Sequence, residues 1–340
     1  MNYYIKRTFP VLFILLAIGA HEQAAPPPNL LYGFRHMQMM YKGDTVDILI
    51  KSKKGEELKA KPLFLFCQGS LPIPLIMKYE EQGKKGIYHV FVFNPEHLSN
   101  DYHLVIIGKP YVPLVADVKQ LKPDFTYMDS SGTFPKKYID RNLLDYYVGR
   151  DIAVIKYLQK KSWVSTVKLV VAGHSEGSTI AAKIASDLPE VTQLIYSGGN
   201  PYGRMLTIIE QQRSKENDTA AFGEQAFSTW EKIVADPTNM TTGTGDTYKS
   251  TFGFSIPPKN YLEQLKIPVL ITYGTKDYGS PFNDYFRMET ILQKKKNFTF
   301  KAYIGVQHNY FPLNSDGEPD FSHFNWDKVA DDWKKWLDKQ

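Results

Sequence analysis

The sequence predicts an α/β protein: a mostly parallel central sheet flanked by helices on both faces, with a helical lid or cap inserted over one end. Two observations carry this expectation. Short continuous apolar runs recur along the chain at strand length, and helical segments fall between them. One interval, residues 200–266, breaks the alternation and is too long to be a simple connection.

Each element follows in order. Lys6 and Arg7 precede the apolar run Val11 to Ile18, then come small Gly19 and Ala20 and polar His21-Glu22-Gln23. That is the layout of a secretory signal peptide, expected over residues 1–20. The apolar run is short for a bilayer span, so no stable membrane anchor is expected after cleavage. Residues 21–30, with Pro26-Pro27-Pro28, read as a stiff linker, and residues 31–340 as the folded domain.

Asp44 to Ser52 alternates in part and reads as an early strand. Pro62 to Gly69, Tyr102 to Pro110, Val167 to Gly173, Val191 to Gly199, Ile267 to Gly274 and Phe298 to Gly305 read as buried strands, several closed by a glycine turn. Asp140 to Lys160 sets Leu144, Tyr147, Ile152, Ile155 and Leu158 near one helical face. Asn283 to Lys295 and Asp327 to Lys339 are amphipathic helices. The breaking interval holds "RMLTIIEQQ", "FGEQAFSTWEKIVAD" and the loop "TTGTGDT", a mainly helical insertion whose aromatic content suits packing or a substrate pocket.

Composition narrows the function. A chain of 340 residues with 43% hydrophobic content can bury a large core. The net charge of +5 is mild and no basic stripe accompanies a nucleic-acid-binding motif, so no nucleic-acid partner is expected. Cys67 is the sole cysteine, which excludes an internal disulfide and reads as a small buried hydrophobe. Export without a disulfide suits a bacterial periplasm or the extracellular space.

The chemistry gathers in "VKLVVAGHSEGSTIAAKIAS", Val167 to Ser186. Gly173-x-Ser175-x-Gly177 between a strand and a helix is a nucleophile elbow, the glycines keeping side chains out of a crowded junction. A serine hydroxyl at neutral pH needs a general base, and the base an orienting acid. Asp277 follows the run ending "ITYG" and His308 the run ending "AYIG", and parallel strands bring all these ends to one edge. Asp277 also reads as a turn aspartate and His308 as a structural histidine, with Asp284 and His323 the spare acid and base. His174 lies on the strand side of the elbow and reads as a packing and hydrogen-bonding residue. An oxyanion hole is expected from the Glu176 backbone N–H and from the loop after "LFLFCQG", where Ser70 is the second donor and Leu71 its reserve.

Residues from roughly 40 to 340 resemble an α/β-hydrolase-fold serine hydrolase, and "GHSEGS" resembles the elbow of its esterase and acyl-hydrolase branches. The resemblance implies a site at the carboxyl edge of the sheet. The chain departs from the commoner oxyanion loop in carrying Gln68 before Gly69, where many relatives have histidine. The expected function is an exported serine hydrolase that cleaves carboxylic esters through an acyl-enzyme. Peptide or thioester hydrolysis and acyl transfer use the same machinery, and a non-catalytic binding protein is the reading from another class. The chain has no H-E-x-x-H, no paired Cys/His spacing and no phosphate loop, and "TTGTGDT" lacks a preceding strand and a third glycine. No cofactor or metal is expected, and the partner is a small-molecule ester or acyl substrate.

Overall fold

The computed structural model describes residues 30–340 apart from 82 and 242–245. The expected signal peptide, the linker save its last residue and the middle of "TTGTGDT" lie outside the described residues.

Nine strands of the described residues form one sheet. In spatial order they are β1 (Leu30–Leu31), β2 (Phe34–Tyr41), β3 (Asp44–Lys51), β7 (His103–Ile107), β4 (Lys61–Cys67), β9 (Val164–His174), β10 (Gln193–Ser197), β11 (Val269–Gly274) and β12 (Phe298–Tyr303). From β7 to β12 every neighbouring pair is parallel, whereas β1, β2 and β3 form an antiparallel edge joined to β7. A smaller sheet holds β5 (Ile76–Glu81) between β6 (Lys84–His89) and β8 (Val115–Asp117). The mostly parallel sheet is thus as expected. The sequence reading missed β2 and the small sheet, whose residues alternate too little to declare a buried face.

The continuous apolar runs arise because each central strand is covered on both sides. Leu63, Leu65, Cys67, Val105, Leu169 and Val171 pack into one core layer, while the intervening Phe64, Phe66, Leu104, Val170 and Ala172 pack into the other. This is the two-residue period of a strand, with both faces requiring apolar side chains. The first layer is closed by α3 (Leu144–Leu158), α4 (Glu176–Asp187), α8 (Lys259–Leu262) and α9 (Ser280–Leu292). The second is closed by α1 (Glu96–Ser99) and α10 (Trp326–Leu337), whose Trp333 ring meets Phe66 and Phe93.

The helix expected over Asp140 to Lys160 is instead two, α2 (Lys136–Arg141) and α3. Leu143 between them is extended, with φ −130° and ψ 138°. Asn142 explains the break: its side chain accepts from Tyr147 Oη at 2.9 Å and donates to Asp246 at 2.7 Å. Residues 200–266 carry α5 (Arg204–Arg213), α6 (Phe222–Ala235), α7 (Tyr248–Ser255) and α8. Met205, Ile209 and Ala226 form a small core of their own where α5 meets α6. No helix among the described residues is long and apolar enough to cross a membrane.

Candidate active site

Strand register builds the site. Cys67 pairs with Gly173, His174 with Ser197, Ser197 with Thr272, and Gly274 with Tyr303, so β4, β9, β10, β11 and β12 end nearly level. The residues just beyond these ends share one edge. Ser175 is the turn between β9 and α4, at φ 59° and ψ −126°, a conformation costly for any residue with a Cβ. Its N–H donates to the Ser197 carbonyl at 2.9 Å, and its carbonyl accepts from Ser178 Oγ at 2.6 Å.

Both flanking glycines are demanded by backbone approach. A Cβ at Gly173 would lie 2.0 Å from the Gly177 carbonyl oxygen, and one at Gly177 would lie 2.0 Å from the Cys67 carbonyl oxygen. Neither obstacle is a side chain that can swing away. Gly177→Ala is therefore expected to destabilise the protein by at least about 1–3 kcal/mol, read as a lowered urea midpoint. An unchanged midpoint would mean that α4 does not press on β4 as described.

Asp277 and His308 meet in the loops after β11 and β12. His308 Nδ1 lies 2.8 Å from Asp277 Oδ2, and Gly279 N–H donates to Asp277 Oδ1 at 3.0 Å. A carboxylate only accepts, so Nδ1 carries the proton and Nε2 is left as the free acceptor. Burial favours neutral His308, but the Asp277 charge and hydrogen bond outweigh it and raise the imidazole pKa. For Asp277, burial is likewise overcome by the charge and hydrogen bond of His308, so its pKa is lowered. Any activity that uses neutral His308 as base must fall as pH drops through this raised pKa. The acid limb of kcat/KM is thus expected above the ordinary histidine value of 6.5. A limb at or below that value would remove His308 from the base role.

Ser175 and His308 line one cavity of about 100 Å³ together with Ser70 and Glu176. No hydrogen bond joins Ser175 Oγ to His308 Nε2 among the described residues, a separation common before substrate binds. Glu176 opens α4, where the first N–H groups have no partner within the helix. The loop after β4 lies beside the serine, since a Cβ on Gly69 would be 3.7 Å from Ser175 Cβ. Gln68 donates its side-chain amide to the Ile107 carbonyl at 2.7 Å, and Tyr138 Oη donates to the Ser70 carbonyl at 3.0 Å. Leu71 is exposed and does not line the cavity.

The reserve residues lie elsewhere. Asp284 is bonded to Tyr273 Oη, and exposed His323 pairs with Asp320 at 2.6 Å. His174 is buried between Ser197 Oγ at 3.0 Å and the Asn309 side chain at 3.1 Å. Burial, then the neighbouring His308 charge, push its pKa down to about 3, so it stays neutral. Cys67 is buried, and burial first of all pushes its thiol pKa up, away from the reactive thiolate.

No protein-family model and no curated protein matches the chain. Solved structures do. The ferulic-acid-bound form of Est1E from Butyrivibrio proteoclasticus superposes at a TM-score of 0.54 and 17% identity, covering 89% of this chain and 100% of that one. A Rhizomucor miehei esterase structure gives 0.51 and 14%, covering 94% and 84%. The acylaminoacyl peptidase of Pyrococcus horikoshii gives 0.53 and 13%, covering 89% of this chain but 41% of the peptidase.

The chain has the α/β-hydrolase fold.

Within this hydrolase fold the sequence reading missed a buried charge cluster at the elbow. Lys109 Nζ donates to Glu176 Oε1 at 3.0 Å, both side chains being 2% exposed. Arg204 at the start of α5 donates to Glu176 Oε2 and to Asp246. Burial opposes ionised Glu176, but Lys109 and Arg204 outweigh it and hold its pKa below the usual carboxylate value. The Glu176 side chain thus ties residues 200–266 to the residue after Ser175. Lys109, a charge inside the run Tyr102 to Pro110 that reads as a buried strand, was the available signal. Arg204 and Asp246, far apart in sequence, offered none.

Proposed function

We propose that this protein is a serine hydrolase of short-chain carboxylic esters, working through Ser175, His308 and Asp277 and an acyl-enzyme. The carrying observation is Ser175 in its strained turn, opening on the cavity that His308 also lines while Asp277 holds the imidazole. His308 Nε2 takes the Ser175 hydroxyl proton as Oγ attacks the ester carbonyl. The Glu176 and Ser70 amides hold the oxyanion, where fixed dipoles act without reorganising. Collapse expels the alcohol, protonated by His308, and leaves an acyl-serine. Water deprotonated by His308 then attacks it, releasing the acid and returning the proton to Ser175.

The small cavity, about 100 Å³, favours a short acyl group. Residues 200–266 serve as the cap, contributing Asn200, Arg204, Thr207 and Phe254 to that lining. The test is incubation of the protein with a fluorophosphonate probe alongside turnover of an aryl acetate. Labelling of the peptide that holds Ser175, together with turnover, supports the reading. A protein that neither labels nor turns over an ester is a binding protein on this fold.

Export belongs to the same proposal and rests on the charged, apolar and small-residue succession over residues 1–20. Expression in a bacterial host is expected to yield a mature N-terminus near residue 21 in the exported fraction. An intact Met1 in a protein retained inside the cell would overturn it.

A further inference from the structure

A closed ring of side chains grips the residue that follows Ser175. Glu176 Oε1 accepts from Lys109 Nζ at 3.0 Å, and Oε2 accepts from Arg204. Arg204 also donates to Asp246, whose other oxygen accepts from the Asn142 amide at 2.7 Å. Asn142 accepts in turn from Tyr147 Oη at 2.9 Å, and Lys109 Nζ lies 4.5 Å from the centre of the Tyr147 ring, which closes the circuit. Lys109 follows β7, Asn142 and Tyr147 belong to the break before α3 and to α3 itself, Glu176 opens α4, Arg204 opens α5 and Asp246 precedes α7.

Both Glu176 oxygens are thus held from different segments, and Lys109, Asn142, Tyr147 and Glu176 are all buried. Turning the carboxylate away from either cation would leave a buried charge unpaired. Because Glu176 is the first residue of α4, fixing its side chain fixes the peptide that joins it to Ser175. Stability does not account for such a ring. Buried ions carry a desolvation cost, and apolar side chains of similar volume commonly serve a core as well or better. Lys109, Asn142, Tyr147 and Asp246 do not line the catalytic cavity, so whatever they do for the reaction passes through Glu176 and Arg204.

We propose that this ring positions the oxyanion hole, with Lys109 and Arg204 as positioning residues that hold the Glu176 N–H where the developing oxyanion needs it. The inference rests on the serine hydrolase reading above. It gives residues 200–266 a second role: through Arg204 they act on the rate of the chemical step and not only on the cavity lining. The gain comes from preorganisation, since a fixed dipole stabilises the new charge only when it already points there. A displacement of about 1 Å costs on the order of a hundredfold in rate. The second donor is held separately, by Tyr138 Oη on the Ser70 carbonyl at 3.0 Å, so loosening the ring impairs one amide and spares the other.

The test is the double variant Lys109→Met with Glu176→Gln. It removes one cation and one anion together, keeps side-chain size close and leaves Arg204 on Asp246, so the urea midpoint is expected to stay near that of wild type. A fluorophosphonate reads the amides without ester turnover: the Oγ–P bond forms, fluoride leaves, and the phosphoryl oxygen sits where the oxyanion would. At saturating probe the rate constant for labelling Ser175 is expected to fall about tenfold or more, with half-saturation within about twofold of wild type. For an aryl acetate, kcat and KM should divide in the same way. That rate constant does not depend on how much protein is folded. A purely structural ring would lower the midpoint and leave the rate constant unchanged, which overturns the proposal, as does a raised half-saturation or KM at constant rate. Should the double variant not fold, Asp246→Asn loosens Arg204 from outside the cavity, and the same outcomes decide. Wild type that labels without cleaving an ester refutes the ester reading alone and leaves the comparison readable, whereas wild type that does not label refutes both.

Discussion

Ser175→Ala is expected to lower kcat/KM for an aryl acetate by roughly 10⁴-fold or more and to abolish fluorophosphonate labelling. The magnitude follows from what remains. Without Oγ the proposed acyl-enzyme cannot form, and only direct attack by water is left. The fold should tolerate the change, because the groups that hold the turn belong to the backbone and to Ser178: the Ser175 N–H bonds the Ser197 carbonyl, and its carbonyl receives Ser178 Oγ. Alanine meets the same backbone strain as serine at φ 59°. Adding His308→Ala should cost little further, since base and nucleophile act as one unit. If the alanine variant keeps more than about a tenth of wild-type turnover, Ser175 is not the nucleophile.

Asp277→Asn is expected to lower kcat by roughly 10⁴-fold while leaving the structure in place. Two donors face the Asp277 side chain. Gly279 N–H donates to Oδ1 and His308 Nδ1 donates to Oδ2. An asparagine has only one acceptor oxygen, and satisfying the buried Gly279 N–H turns its NH₂ toward His308. Nδ1 must then accept, and the ring proton moves to Nε2, the nitrogen proposed to receive the Ser175 proton. Loss of the carboxylate also removes the interaction that raises the His308 pKa, so the residual acid limb should move to lower pH. A loss smaller than about tenfold would make Asp277 a turn residue. Its alternative, Asp284, is already bonded to Tyr273.

The long apolar strands and the elbow were legible because each imposes a local pattern. A strand covered on both faces needs apolar side chains at every position, and a strand-to-helix turn as tight as Gly173 to Gly177 leaves no room for a Cβ at either glycine. That Ser175, Asp277 and His308 reach one edge was legible for a related reason, since parallel strands deliver their ends together. The elements that escaped have weaker local signals. The break at Asn142 depends on Asp246, 104 residues away, and helical periodicity runs straight through it.

The sequence by itself therefore determined the class of fold, the elbow and the residue types available at the carboxyl edge. Tertiary structure alone decided strand order, the placing of His308 and not His323 against Asp277, and the neutrality of His174. It alone also brought Arg204 onto Glu176 and Asp246. The physical reason is range. Side-chain periodicity and glycine sterics act within a few residues, whereas ion pairing, desolvation and cavity shape arise only once distant segments are packed together.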